Sequence, residues 1–189
     1  MIRYLSLLLL FFSLVGFSFS QGSGFIEDFI LPNAVGGEKF SLREYESVPT
    51  VVVIFTDMQC PYSQLYEDRI ANLINDFQSE AIRFILINTN TDDSKEKMSS
   101  FVEGKDWSVP YLVDHDQRVA RLFSATKSPE VFVLSRQKKS FKIVYRGGID
   151  DNPQVPDDAH HHYLRDFLKA SGAGKTFSLR TTSATGCML

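Results

Sequence analysis

Thr50-Val51-Val52-Val53-Ile54-Phe55-Thr56-Asp57-Met58-Gln59-Cys60-Pro61-Tyr62-Ser63 is the stretch on which the reading of this chain turns. Its opening is a continuous β-branched run, Thr50 to Phe55. That pattern suits a strand covered on both faces, as in a parallel α/β sheet. Beyond it, Leu65, Ile70, Leu73, Ile74 and Phe77 recur at helical spacing. Pro61 belongs in the first turn of that helix, where a missing N–H costs nothing. Cys60 therefore stands where a buried strand gives way to an amphipathic helix. Unpaired backbone N–H groups and the positive end of the helix dipole favour a thiolate there, and the thiolate is the reactive form of cysteine. A carboxylate at Asp57 opposes this if it lies close. The plainer reading of Cys60 is a small buried apolar residue.

Working outward, Ile82 to Ile87 repeats the buried-strand pattern. The polar, charged residues 89–97 read as a loop and the exposed face of a helix reaching about Glu103. Val109 to Val113 is a short strand, and Val119, Ala120, Leu122 and Phe123 mark a short helix. Glu130 to Leu134 and Phe141 to Tyr145 form a strand pair across the polar tip Ser135–Ser140. Tyr163, Phe167 and Leu168 mark a last helix. Before the central strand, Leu31-Pro32-Asn33 and Gly36-Gly37 read as turns, and Ser41 with Glu44 is a capping-box pattern. The order is a β-hairpin leader, then alternating strands and helices, an antiparallel pair and a terminal helix. This is an α/β fold with a mixed central sheet flanked by helices, an N-terminal β-hairpin extension and a C-terminal tail.

A chain of 189 residues with 43% apolar residues suits one compact domain. Its first twenty residues differ from the rest: Arg3 precedes a nearly all-apolar stretch from Leu5 to Phe19, and Ser18 and Ser20 stand at the −3 and −1 positions of a cut after Ser20. That is the layout of a secretory signal peptide; the stretch is short for a membrane span, and an uncleaved signal anchor is the alternative reading. The expected division is a signal peptide over 1–20, a folded domain over 21–170 and a flexible tail over 171–189. The protein is accordingly expected in the periplasm or outside the cell, touching a membrane only through the signal segment. A net charge of −3 and the lack of a basic stripe argue against nucleic acid as a partner.

Export bears on the two cysteines, Cys60 and Cys187, because oxidising compartments permit disulfides. Two thiols allow one intramolecular bond or links between chains. Cys187 can also be an idle tail thiol. The spacing is too wide for a Cys-x-x-Cys pair and unlike a four-ligand zinc site. His160, His161 and His162 are consecutive and cannot share a helix face, so no metal site is expected there. His115, between Asp114 and Asp116, reads as solvated, and Asp150-Asp151-Asn152 as a turn.

Cys60-Pro61-Tyr62-Ser63 resembles the active-site tetrapeptide of a thioredoxin or glutaredoxin, with serine in place of the second cysteine. Further matches are Phe29-Ile30-Leu31-Pro32, Tyr66-Glu67-Asp68-Arg69, Ile87-Asn88-Thr89-Asn90, Pro110-Tyr111-Leu112 with Asp114, and Tyr145-Arg146-Gly147-Gly148-Ile149-Asp150. His162-Tyr163-Leu164-Arg165 and Gly186-Cys187 complete the set. On these residues the chain resembles the redoxin family (alkyl hydroperoxide reductase/thiol-specific antioxidant), in particular a peroxiredoxin-like bacterial subgroup.

The resemblance implies a thioredoxin-like fold and a thiol-dependent oxidoreductase that exchanges disulfides or reduces peroxides through Cys60, with no bound cofactor. Its partners would be a protein thiol or disulfide, or a small peroxide, and an external thiol reductant. Cys187 becomes the candidate resolving thiol. Pro61, Tyr62 and Ser63 would line the substrate groove, with Ser63 hydrogen-bonded to the sulfur. Lys127-Ser128-Pro129 falls where thioredoxin-like folds carry a cis-proline, so Ser128 and Pro129 would shape the groove and offer backbone groups to an extended substrate. An ordinary trans-proline at a strand start is the plainer reading. The chain also departs from the family: Asp57 stands where the subgroup has the first cysteine of Cys-x-x-Cys-Pro-Tyr, and where peroxiredoxins have a threonine. Two rival functions follow from these departures. One is a non-catalytic module that binds a protein in the cis-proline groove. The other is a Cu(I)-handling protein using Cys60 with soft donors such as Met58 or Cys187.

Overall fold

The computed structural model describes residues 24–105, 107–138, 140–171 and 178–189. The expected signal peptide over 1–20 lies outside the described residues. No helix among those described is long and apolar enough to cross a membrane.

In chain order the elements are β1 (Phe25–Ile26), β2 (Ile30–Pro32), β3 (Lys39–Ser41), β4 (Thr50–Thr56), α1 (Pro61–Phe77), β5 (Ile82–Asn88), α2 (Lys95–Glu103), β6 (Tyr111–Val113), α3 (Arg118–Phe123), β7 (Lys127–Ser128), β8 (Glu130–Gln137), β9 (Ser140–Gly147), α4 (Tyr163–Ala170), β10 (Arg180–Thr181) and β11 (Cys187–Met188). The central sheet runs β1-β9-β8-β4-β5-β6, and β10 lies alongside β9. β4 is parallel to β5 and antiparallel to β8. The sheet is therefore mixed, as expected, and β2 with β3 forms the N-terminal hairpin.

The β-branched run of β4 is buried for a simple reason: the sheet is covered on both sides. Val52 and Ile54 pack with Ile70, Leu73 and Ile74 of α1 and Leu164, Phe167 and Leu168 of α4. Val51, Val53 and Phe55 face the opposite layer, built from Phe29, Leu31 and Phe40 of the hairpin and Val119 and Phe123 of α3. All five of these β4 side chains are fully buried, each stabilising the fold by about 1.5–3 kcal/mol relative to exposure. Rings fill the second layer: Phe55, Phe123 and Phe132 meet edge to face at 5.2–5.6 Å.

Three local features refine the sequence reading. Leu65 points to solvent, and Tyr66 takes the buried position at that level of α1. Tyr66 can do so because its hydroxyl donates to Asp150 at 2.7 Å. The β8–β9 ladder extends to the pair Gln137–Ser140, so Ser135, Arg136, Gln137 and Ser140, expected in the tip, are strand residues. The capping box at Ser41 forms: the Ser41 N–H donates to Glu44 at 2.8 Å and Ser41 Oγ accepts from the Arg43 N–H at 3.2 Å, opening a 3₁₀ turn over Leu42–Tyr45.

The tail is the main correction. Residues 171–189 are expected to be flexible, of which 172–177 lie outside the described residues. The remainder docks on the domain. β10 pairs parallel with β9, and β11 pairs antiparallel with β7. Tyr145 holds the first of these: its hydroxyl sits 2.8 Å from Thr182 Oγ1 and donates to the Gly148 carbonyl. Burial pushes that phenol up to about 12, so it remains a donor at neutral pH. Composition alone missed this because small polar residues carry little apolar signal, while their backbone still pairs.

Asp114 supplies a pH test of the fold. Its carboxylate is fully buried and accepts from the Val119 and Ala120 N–H groups at 3.1 and 2.8 Å, capping α3. Burial nevertheless raises its pKa above the usual carboxylate value, and the two amides only partly offset this. The folded state then holds the proton more tightly than the unfolded state, so stability falls as pH rises from about 4 through the raised value. The stability difference between the native protein and Asp114→Asn is expected to shrink with rising pH in urea titrations over that window. A difference that grows contradicts the assignment.

Candidate functional site

Cys60 is the N-cap of α1, with extended backbone (φ −74°, ψ 120°), and Pro61 occupies the first helical turn. The Cys60 carbonyl accepts the first helical bond, from the Gln64 N–H at 3.0 Å. The loop before it is fixed by side chains. Asp57 Oδ1 accepts from the Gln59 N–H at 2.7 Å and from Asn90 Nδ2 at 3.0 Å, which turns this carboxylate into its own loop. Gln59 in turn donates to the fully buried Asp93, which also accepts from Asn88 at 3.1 Å.

Facing Cys60 is the turn that joins β7 to β8. Its Ser128–Pro129 bond is cis, so the expected cis-proline is present and the plainer trans reading is set aside. The Ser128 carbonyl oxygen lies 3.1 Å from Cys60 Sγ. Ser128 Oγ and Ser63 Oγ share a hydrogen bond at 2.7 Å, and Ser63 Oγ also accepts from the Asp57 N–H at 3.4 Å. Ser63 thus bonds Ser128, whereas the sequence reading has it bonded to the sulfur. Tyr62 is half-buried and Pro61 exposed.

Cys187 reaches the same place. It pairs with Ser128 in the β11–β7 ladder and forms a disulfide with Cys60, with Cα atoms 6.1 Å apart across a sequence separation of 127. That Cα separation lies in the ordinary range for disulfides. The bond leaves Cys60 only 3% exposed. The sequence reading expects an open sulfur held as an anion by the helix-start amides; the oxidised sulfur is instead neutral, covered by the tail and set against a carbonyl. The soft donors of the Cu(I) reading are not gathered: Met58 packs against the core and the two cysteines are bonded to each other. Among the described residues no group of three or more His, Cys, Asp or Glu side chains is placed to hold a metal ion.

Two residues to which the sequence reading gives no functional role organise the turn. Glu130 Oε2 accepts from the Thr126 and Lys127 N–H groups at 2.7 and 3.2 Å, and Glu130 Oε1 pairs with Arg146 at 2.7 Å. This carboxylate fixes β7 from behind. Gly186 lets β11 come close: a Cβ there would stand 2.7 Å from the Ser128 carbonyl carbon, and closer still to its oxygen. A charged residue directly after Pro129 and a glycine directly before Cys187 were the available signals. The other sequence candidates have ordinary roles. His115 hydrogen-bonds the Asp93 carbonyl at 2.6 Å, His161 stacks on Tyr163, and Asp150 is ion-paired with Arg69 at 2.7 Å.

A cysteine at the head of the helix after a central strand, opposite a cis-proline on a mixed, doubly covered sheet, defines a redoxin-type protein of thioredoxin-like fold. The chain belongs to the AhpC/TSA family, whose profile matches residues 25–148. Among solved structures it is similar to an uncharacterized conserved protein from Geobacillus kaustophilus, with 27% identity, TM-score 0.75, and 86% of this chain and 87% of that one covered. A hypothetical protein from Sinorhizobium meliloti 1021 aligns at 27% identity and TM-score 0.68, covering 86% and 90%. Peroxidoxin BcpB from Mycobacterium tuberculosis shares the fold at 20% identity and TM-score 0.61, covering 79% and 96%. A search of curated protein sequences gives no significant match.

Proposed function

We propose that this chain is an exported thiol-dependent oxidoreductase in which Cys60 is the nucleophile and Cys187 the resolving thiol. The observation that carries the reading is the Cys60–Cys187 bond at the head of α1, against the cis-proline turn. It joins the two cysteines of the chain at the position where the family fold exposes its reactive sulfur. The missing local partner, replaced by Asp57 and Ser63, is thereby supplied from the far end of the chain. Signal cleavage after Ser20 and a folded domain over 21–170, closed by the tail, complete the proposal.

The chemistry balances as follows. The Cys60 thiolate attacks one sulfur of a substrate disulfide and expels the other as a thiolate. Cys187, as thiolate, then attacks Cys60 Sγ and expels the remaining substrate thiolate, leaving the Cys60–Cys187 disulfide. With a peroxide, Cys60 attacks oxygen, water or an alcohol leaves, and the Cys60 sulfenic acid condenses with Cys187 with loss of water. In both cases two electrons pass from the protein dithiol to the substrate. An external thiol reductant returns them.

Turnover of a low-molecular-weight disulfide and of hydrogen peroxide, with dithiothreitol as reductant, tests this. Cys60→Ser is expected to lower both at least about a hundredfold, because the attacking atom is gone. Cys187→Ser is expected to keep the first step and to slow turnover. Full activity in Cys60→Ser contradicts the proposal; a native protein that turns over neither substrate contradicts it as well and leaves the protein-binding module as the reading.

A further inference from the structure

The tail docks through a set of contacts with its own selectivity. Cys187 and Met188 pair antiparallel with Ser128 and Lys127. Lys127 Nζ donates to the Ala184 carbonyl at 2.8 Å, and the Leu189 N–H donates to the Thr126 carbonyl at 3.1 Å. Main-chain groups on both sides of Cys187 are therefore gripped by one short edge, which Glu130 holds in place from behind.

The side chains along the tail show what this edge accepts. Ala184, three residues before the cysteine, is 8% exposed, which favours a small residue at that position. Gly186, directly before it, meets the Ser128 carbonyl group and lies such that a Cβ would be 3.0 Å from Pro129 N. Every residue other than glycine would push the segment off the turn. Met188, directly after the cysteine, is 75% exposed and leaves its position open. Leu189 packs against the core, which favours an apolar residue two positions on.

We infer that the β7 edge is a docking strip for an extended segment of a partner protein whose reactive half-cystine directly follows a glycine, and that Ala184–Leu189 is its built-in competitor. The inference rests on the proposed function, since the strip serves Cys60. One edge cannot pair with two strands at once. In the reduced protein the Cys60 thiolate attacks the partner's cystine, the other half of that cystine leaves as a thiolate, and the mixed disulfide lies along β7. Cys187 then displaces the partner's sulfur from Cys60, and the tail takes back the edge as the partner leaves with its thiolate. The partner is thus a protein disulfide of the pattern small-x-Gly-Cys-x-apolar.

The test uses reduced full-length Cys187→Ser and three disulfides of 5-thio-2-nitrobenzoate: with the peptide Ala-Thr-Gly-Cys-Met-Leu, with its Ala-Thr-Ala-Cys-Met-Leu counterpart, and with N-acetylcysteine amide. Release of the coloured thiolate reports attack by Cys60. The glycine peptide is expected to react about tenfold faster than the alanine peptide, equivalent to about 1.4 kcal/mol. A ratio of threefold or more supports the strip and a smaller ratio overturns it. Release from the small reagent with neither peptide reacting also overturns it, while leaving Cys60 as nucleophile. No release from any of the three overturns the proposed function and the strip with it. A second measurement does not depend on the Cys187→Ser protein. In glutathione redox titrations, Gly186→Ala is expected to lower the equilibrium constant for Cys60–Cys187 formation about tenfold, and an unchanged constant overturns the inference.

Discussion

Reducing the Cys60–Cys187 disulfide is expected to lower the unfolding free energy by about 5 kcal/mol at the entropic limit and by about 3–5 kcal/mol in practice. The bond closes a loop spanning 127 residues of separation. A cross-link of that reach removes more conformations from the unfolded chain than any other contact here can, since loop-closure entropy grows with length. For a chain of this size the loss corresponds to a melting temperature lower by roughly 6–20 °C. Urea unfolding with and without a phosphine reductant measures it, and Cys187→Ser without reductant should match the reduced native protein. A change below about 1 kcal/mol would show that the bond is not closed in the folded protein, or that the unfolded chain is already compact.

Glu130→Ala is expected to be the most damaging single change outside the core, at about 3–4 kcal/mol. The Glu130 side chain is 5% exposed, and it is the partner of the Thr126 and Lys127 amides and of Arg146. Removing it strands the part-buried Thr126 and Lys127 N–H donors, each costing at most about 1–3 kcal/mol, and leaves a cation without its counter-charge. The Arg146 side chain is 31% exposed, so water takes up part of that charge and the lower end of the buried-pair range applies. Because Glu130 anchors β7, the same variant should also loosen the edge on which the tail sits and make the Cys60–Cys187 disulfide easier to reduce. Urea unfolding of the oxidised protein checks the first effect and glutathione titration the second. A stability loss below about 1 kcal/mol would contradict the role given to this carboxylate.

The architecture was legible because its signals are local and apolar. The run Val51–Phe55 marks a strand with no solvated face, and the spacing of Ile70, Leu73 and Ile74 marks a helix with one buried face. Together they locate Cys60 at their junction. The cis-proline turn was legible only through the family resemblance, because nothing in Lys127-Ser128-Pro129 taken alone distinguishes cis from trans.

The state of the sulfur was not legible. Whether Cys60 faces water, helix amides or another cysteine depends on where residues 180–189 return, and that is decided by backbone pairing to β7 and β9. Backbone pairing leaves no period in hydrophobicity when the side chains are Arg, Thr, Ser and Gly. The same holds for Glu130 and Gly186. Their importance comes from contacts with main-chain atoms of a turn, which a scan for apolar periodicity passes over.

The central claim is that Cys60 and Cys187 form one redox couple within a single chain. The most direct measurement oxidises the reduced protein with one equivalent of hydrogen peroxide, alkylates the remaining thiols, digests without reductant and reads the peptides by mass. The account predicts a monomer lighter by two hydrogens, no alkylated cysteine, and one linked pair that joins the Cys60 peptide to the Cys187 peptide. Alkylation of both cysteines, or a link between two chains, would contradict it.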